Sequence, residues 1–121
     1  MIVSSKESKD YLLKLIIGKS GDDLTLRLFS NDIEPDINSD RKQFIEVINY
    51  QSTVLSDFFW EMKKNYLQID NLFYLDNAGS IFGYYITTEN HWLWAERFSD
   101  GVYNSKSNKD KLKIKINMFI V

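Results

Sequence analysis

The sequence predicts a mainly β fold: an antiparallel β-sandwich, jelly-roll or Ig-like, of about seven or eight short strands with one N-terminal α-helix. Three observations predict it. Apolar residues alternate with polar ones over most of the chain, as at Leu24, Leu26 and Leu28 or at Leu112, Ile114 and Ile116. Turn-forming clusters recur between these runs, and no helical pattern lies between them to carry a parallel crossover. Aromatic residues make up 15% of the chain and hydrophobic residues 44%, enough bulk to cover sheet faces. At 121 residues the chain suits one domain around one core.

Residues 1–5 read as a short, loosely held arm. Residues 6–17 predict a helix: Ser4 or Ser5 can cap it, Glu7 lies in the first turn, and Gly18 with Lys19 stops it. Tyr11, Leu12, Leu15 and Ile16 repeat at helical spacing, and a strand over 11–17 is the competing reading. After a polar turn at 19–23, Leu24–Phe29 alternates as a strand. Residues 30–40 form a loop around the only proline, Pro35. Residues 43–49 predict a strand, and 53–55 a short one. Phe58, Trp60 and Met62 alternate in the next. Leu67, Ile69, Phe73 and Leu75 share one face of a strand ending at Asp76, with a turn over 76–80. A polar loop at 100–110 precedes a last strand, where Leu112, Ile114, Ile116, Met118 and Ile120 alternate with Lys111, Lys113, Lys115 and Asn117.

The stretch 81–101 organises the rest. Period two gives strands over 81–88 and 91–98, joined at Glu89 and Asn90. That register places Ile86 opposite Leu93 and Tyr84 opposite Ala95 on one face. Tyr85 opposite Trp94, Thr87 opposite Trp92 and Ile81 opposite Phe98 share the other, and Gly83 faces Glu96 and leaves room beside its carboxylate. Both faces are bulky and largely apolar, so the hairpin is expected to be central and covered on two sides.

Charge and motif content narrow the function. Net charge is −2 with pI about 5.3, so no basic field draws the whole molecule to nucleic acid. The chain has no Cys, which removes disulfides and thiolate metal sites. Residues 1–10 lack the apolar core of a signal peptide, and no apolar run is long enough to span a membrane. The only His is His91, with no Gly-x-Ser-x-Gly elbow and no glycine-rich phosphate loop. Glu96 and Asp100 are near in sequence beside Trp94, a setting that can raise an acid's pKa in glycosidases. Neutralisation by Arg97 and Arg27 and turn chemistry at Asp100–Gly101 is the simpler reading. Asp32, Glu34, Asp36, Asn38 and Asp40 alternate like calcium ligands, but Pro35 interrupts them, so a solvated acidic loop is expected instead. Lys111, Lys113 and Lys115 point one way on the last strand; they read as protection of a sheet edge or as contacts to an acidic partner. No catalytic residue, cofactor, metal or small-molecule substrate is expected.

The motifs LWAERFSDG at 93–101, GYYIT at 83–87 and LRLFSND at 26–32 resemble those of a family of small proteins from the structural region of tailed phages and prophages. Residues 24–35, FIEV at 44–47 and Trp60 extend the likeness. It departs at Val102, where the family commonly has Pro, and over 50–72, where relatives are richer in Gly. The matching residues look like packing residues, and the structural hairpin is expected to be held by Gly83, Tyr85, Trp92, Trp94, Glu96, Arg97 and Phe98. The resemblance implies a virion protein without enzyme activity, a capsid decoration or cement protein, or an accessory tail component. Its partners would be capsid or other virion proteins, and a homo-oligomer fits its wide apolar faces. The expected contacts are residues 1–10, the loop with Asp32, Glu34 and Asp36, and the strand with Lys111, Lys113 and Lys115. Two other classes fit the same residues: a toxin-immunity or inhibitor protein with one tight partner, and a carbohydrate-binding sandwich using Trp92 or Trp94 as an exposed platform.

Overall fold

A computed structural model describes residues 2–6, 24–55, 60–62, 66–88 and 91–119. Within them the alternating runs pair as expected into antiparallel sheets. A five-stranded sheet is built from β1 (Val3–Ser4), β2 (Leu24–Phe29), β3 (Thr53–Leu55), β7 (Gly83–Thr87) and β8 (Trp92–Arg97), in the order β1-β8-β7-β2-β3. A three-stranded sheet has β5 (Tyr66–Leu75) between β10 (Asp110–Phe119) and β4 (Trp60–Met62). A small ribbon pairs β6 (Gly79–Ile81) with β9 (Tyr103–Ser105). All strand pairs are antiparallel, as short turn-rich connections require. The expected helix over 6–17 falls, beyond Lys6, outside the described residues, and so does the hairpin turn at Glu89 and Asn90.

The two larger sheets share one core. Leu24, Leu26 and Leu28 of β2, Tyr84 and Ile86 of β7 and Leu93 and Trp94 of β8 face Ile69, Phe73 and Leu75 of β5 and Ile114 and Ile116 of β10. Thr53 and Asn71 tie the sheets at one corner, with the Asn71 amide donating to Thr53 Oγ1 at 3.1 Å. A second cluster of Phe29, Phe44, Tyr85, Trp92 and Ala95 lies on the other side of the five-stranded sheet. The central hairpin is therefore covered on both faces, as its composition predicts.

Its register differs from simple alternation. Thr87 does oppose Trp92, but a bulge follows, and the remaining pairs are Ile86 with Trp94, Tyr85 with Ala95, Tyr84 with Glu96 and Gly83 with Arg97. The bulge turns two consecutive side chains, Leu93 and Trp94, into the shared core. Tyr85 and Trp94 thus lie on opposite faces. Gly83 has no open space: a Cβ there would come 2.2 Å from the Glu96 carbonyl and 2.5 Å from the Phe29 ring. The ring uses the space a side chain would fill. The hairpin is also shorter than expected. Ile81 leaves it to pair with Tyr103, and Phe98 lies just beyond β8, its N–H donating to the Phe82 carbonyl at 2.9 Å.

Three other expectations are corrected. The arm is not loose at Val3–Ser4, which pairs with Ala95 and Trp94 and continues through a 2.7 Å bond from Ser5 N to the Leu93 carbonyl. Residues 43–49 are not a continuous strand. A 3-10 turn at Arg41–Gln43 opens them, and the pairing reduces to a single bridge at Glu46, with another just beyond at Tyr50. The loop at 100–110 contains β9.

Candidate interaction surfaces

The acidic loop is a strap across the outer face of the five-stranded sheet. Short local bonds set its course. Asp40 accepts from Lys42 N at 3.0 Å while the Gln43 side chain accepts from Asp40 N at 2.7 Å, a capping box at the 3-10 turn. Asn31 bridges the strap's two ends, donating to the Gln43 carbonyl at 2.7 Å and accepting from Ile45 N at 2.9 Å. Phe44 then stacks on Tyr85 with centroids 4.7 Å apart and lies against Trp92 at 5.4 Å and Phe29 at 5.5 Å. Such pairs contribute about 0.5–1.5 kcal/mol each beyond area burial. Trp92 closes the arrangement by donating to the Ser39 carbonyl at 2.8 Å.

The predicted acidic residues divide between local roles and solvent. Asp32 accepts from the Arg97 guanidinium, which also bonds the Ile33 carbonyl at 3.3 Å and lies 5.3 Å over the Phe82 ring. Asp36 accepts from Asn38 N at 2.6 Å. Glu34 and Asp36 are exposed, whereas Pro35 is buried. Among the described residues no group of three or more His, Asp or Glu is placed to hold a metal ion. The alternating acids of 32–40 therefore do not converge as a calcium loop would require.

One polar network in this region is not evident from the linear spacing. Arg27 on β2 donates to both Glu46 oxygens at 2.9 and 3.0 Å and to Thr87 Oγ1 at 3.0 Å. Tyr50 donates to Glu46 at 2.5 Å and accepts from Leu28 N at 3.1 Å. Burial, and next the bond to Glu46, raise the Tyr50 phenol well above its usual value. Burial and the Glu46 charge push Tyr85 up to about 12. Arg27 pairs with Glu46, not with Glu96 or Asp100.

Glu96 instead accepts from the buried Tyr84 hydroxyl at 2.8 Å, and burial followed by the Glu96 charge raises that phenol. Glu96, Phe98, Asp100, Tyr103 and Lys113 border an open cleft of about 410 Å³. Nothing in sequence spacing signals it, because β9 and β10 supply part of its wall, through Tyr103, Leu112 and Lys113. His91 is exposed at the hairpin end, where its backbone N–H donates to Thr88 Oγ1 at 3.1 Å. Trp92 and Trp94 are each 4% exposed, so neither ring offers a flat platform to a sugar.

The predicted lysines do share one face. Lys111, Lys113 and Lys115 oppose Tyr74, Leu72 and Asp70 on β5, and all six are exposed on the outer side of the three-stranded sheet. Lys111 Nζ lies 5.7 Å over the Tyr74 ring. Leu72 at 43% and Tyr74 at 67% exposure make this face partly apolar. They were legible in the alternation, since Phe73 and Leu75 claim the inner side. Neither family models, nor curated proteins, nor solved structures give a match to this chain.

Proposed function

We propose that the protein is a structural component of a tailed-phage virion, a capsid decoration or cement protein that acts by binding other virion proteins. One observation supports this reading above the others considered: aromatic residues of the hairpin motifs are spent on packing, while exposed side chains form broad charged and partly apolar faces. Tyr84 and Tyr85 of the GYYIT stretch and Trp94 of the LWAERFSDG stretch are buried, which supports a scaffold role for these aromatic residues. The faces left to solvent, the strap and the lysine-bearing sheet, suit many weak contacts repeated over a symmetric particle, where multivalency supplies the affinity. The resemblance to phage structural-region proteins points the same way.

The same reading takes the two sheets around their shared core as an antiparallel β-sandwich, with residues 6–17 as a helix on it. Mass spectrometry of density-purified virions tests the function. The chain is expected in stoichiometric amounts, and heads separated from tails assign it to capsid or tail. Its absence from virions while present in the infected cell would overturn the proposal in favour of an immunity-type protein.

A further inference from the structure

We propose that the chain associates with copies of itself head to tail, the lysine face of one copy seating on the acidic strap of the next. The two surfaces lie on opposite sides of the molecule. Ile114 and Ile116 of β10 point into the shared core, so Lys111, Lys113 and Lys115 point away from it. Leu24, Leu26 and Leu28 of β2 enter the same core from the other sheet, and the strap covers that sheet's far side through Phe44 and Trp92. The core separates the patches, so they cannot meet within one chain.

Their chemistry is complementary. The strap presents exposed Glu34 and Asp36 beside Ile37, which is 54% exposed. Arg97 balances Asp32, leaving Glu34 and Asp36 as the acidic pair available to a partner. The sheet face presents three lysines around Leu72 and Tyr74. Acid with an apolar residue thus meets base with apolar residues, the pattern of an apolar centre within a charged rim. A second copy fits better than a nucleic acid because Asp70 sits opposite Lys115 in the same face and would repel phosphates. Contacts between two different patches are heterologous, and they generate a ring if the rotation closes or a filament if it does not. This inference concerns the isolated protein and does not depend on the virion reading.

Sedimentation velocity of the purified chain over a range of salt tests it. The wild type is expected to form oligomers at low ionic strength that dissociate as salt shortens the Debye length from about 10 Å at 0.1 M to about 3 Å at 1 M. Lys111→Glu, Lys113→Glu and Lys115→Glu together should weaken association roughly tenfold or more. So should Glu34→Lys with Asp36→Asn, the asparagine keeping the oxygen that accepts from Asn38 N. An equimolar mixture of the two variants should associate again, since each restores the other's complementary charge. If the triple variant fails to fold, the strap variant reads the same contact from the opposite side. A wild type that stays monomeric in low salt would overturn the proposal. So would loss of association in the lysine variant alone, which would indicate a symmetric contact, or tight salt-sensitive binding of a DNA oligonucleotide by a monomeric wild type.

Discussion

Gly83 shows how closely single residues are specified. Its missing side chain leaves room for the Phe29 ring, and a methyl group there would meet the Glu96 carbonyl at 2.2 Å as well. Backbone cannot move aside as a flexible side chain can, so Gly83→Ala should destabilise by about 1–3 kcal/mol or more in urea unfolding. A loss under about 0.5 kcal/mol, the range of ordinary surface changes, would mean that Phe29 does not sit over this strand. Trp94 is 4% exposed and opposes Ile86 in the shared core. Trp94→Ala is therefore expected to cost about 3–5 kcal/mol by the same measurement, and a loss under about 1 kcal/mol would return the ring to the surface. The need for glycine at 83 was visible in the sequence only as its place within a bulky hairpin. Its true neighbour is Arg97 and not Glu96, because period-two reasoning counts residues and a bulge adds one without changing composition.

At the level of elements, the strap is the part that sequence reasoning misjudged and its geometry explains why. Residues 43–49 are apolar enough to read as a strand, but the buried pair Phe44 and Val47 are three apart and would not share a strand face. Yet Asp40 and Gln43 form a capping box that starts a turn, and the box pattern Asp-x-x-Gln was readable in the sequence. The strap's own packing then fixes Phe44 against Tyr85. Phe44→Ala should cost about 3–5 kcal/mol and should shift tryptophan fluorescence to the red, because Trp92 loses its cover and its bond to the Ser39 carbonyl. Unchanged fluorescence would show that the strap does not seal that face. By contrast, the core faces of β5 and β10 were legible from Ile69, Phe73, Leu75, Ile114 and Ile116, although buried Asn71 and exposed Leu72 and Tyr74 depart from strict apolar-polar alternation in β5. β9 was not, because three residues in a polar loop carry no period, and only the remote β6 makes them a strand.

For the whole molecule, two buried layers back to back determine how it responds to pH and what it offers a partner. Tyr50, Tyr84 and Tyr85 all have folded pKa values raised from 10.0, chiefly by burial. In the unfolded chain they ionise near 10.0, so the stability they contribute is fully present below that pH and is lost as pH rises from there through their folded values. The unfolding free energy should accordingly fall above about pH 10, and in a tyrosinate absorbance titration these three of the seven tyrosines should ionise only as the fold opens. Seven tyrosines titrating together near pH 10 in a folded chain would refute the buried network. With the hairpin sealed inside, the outer faces are what the described residues offer a partner, and the central proposal is that they bind within a virion. A side-chain-resolution reconstruction of purified particles tests this most directly. The account predicts this β domain in symmetry-related copies on the particle, with Lys111, Lys113 and Lys115 or the strap at a contact; particles whose density is fully explained by other chains would contradict it.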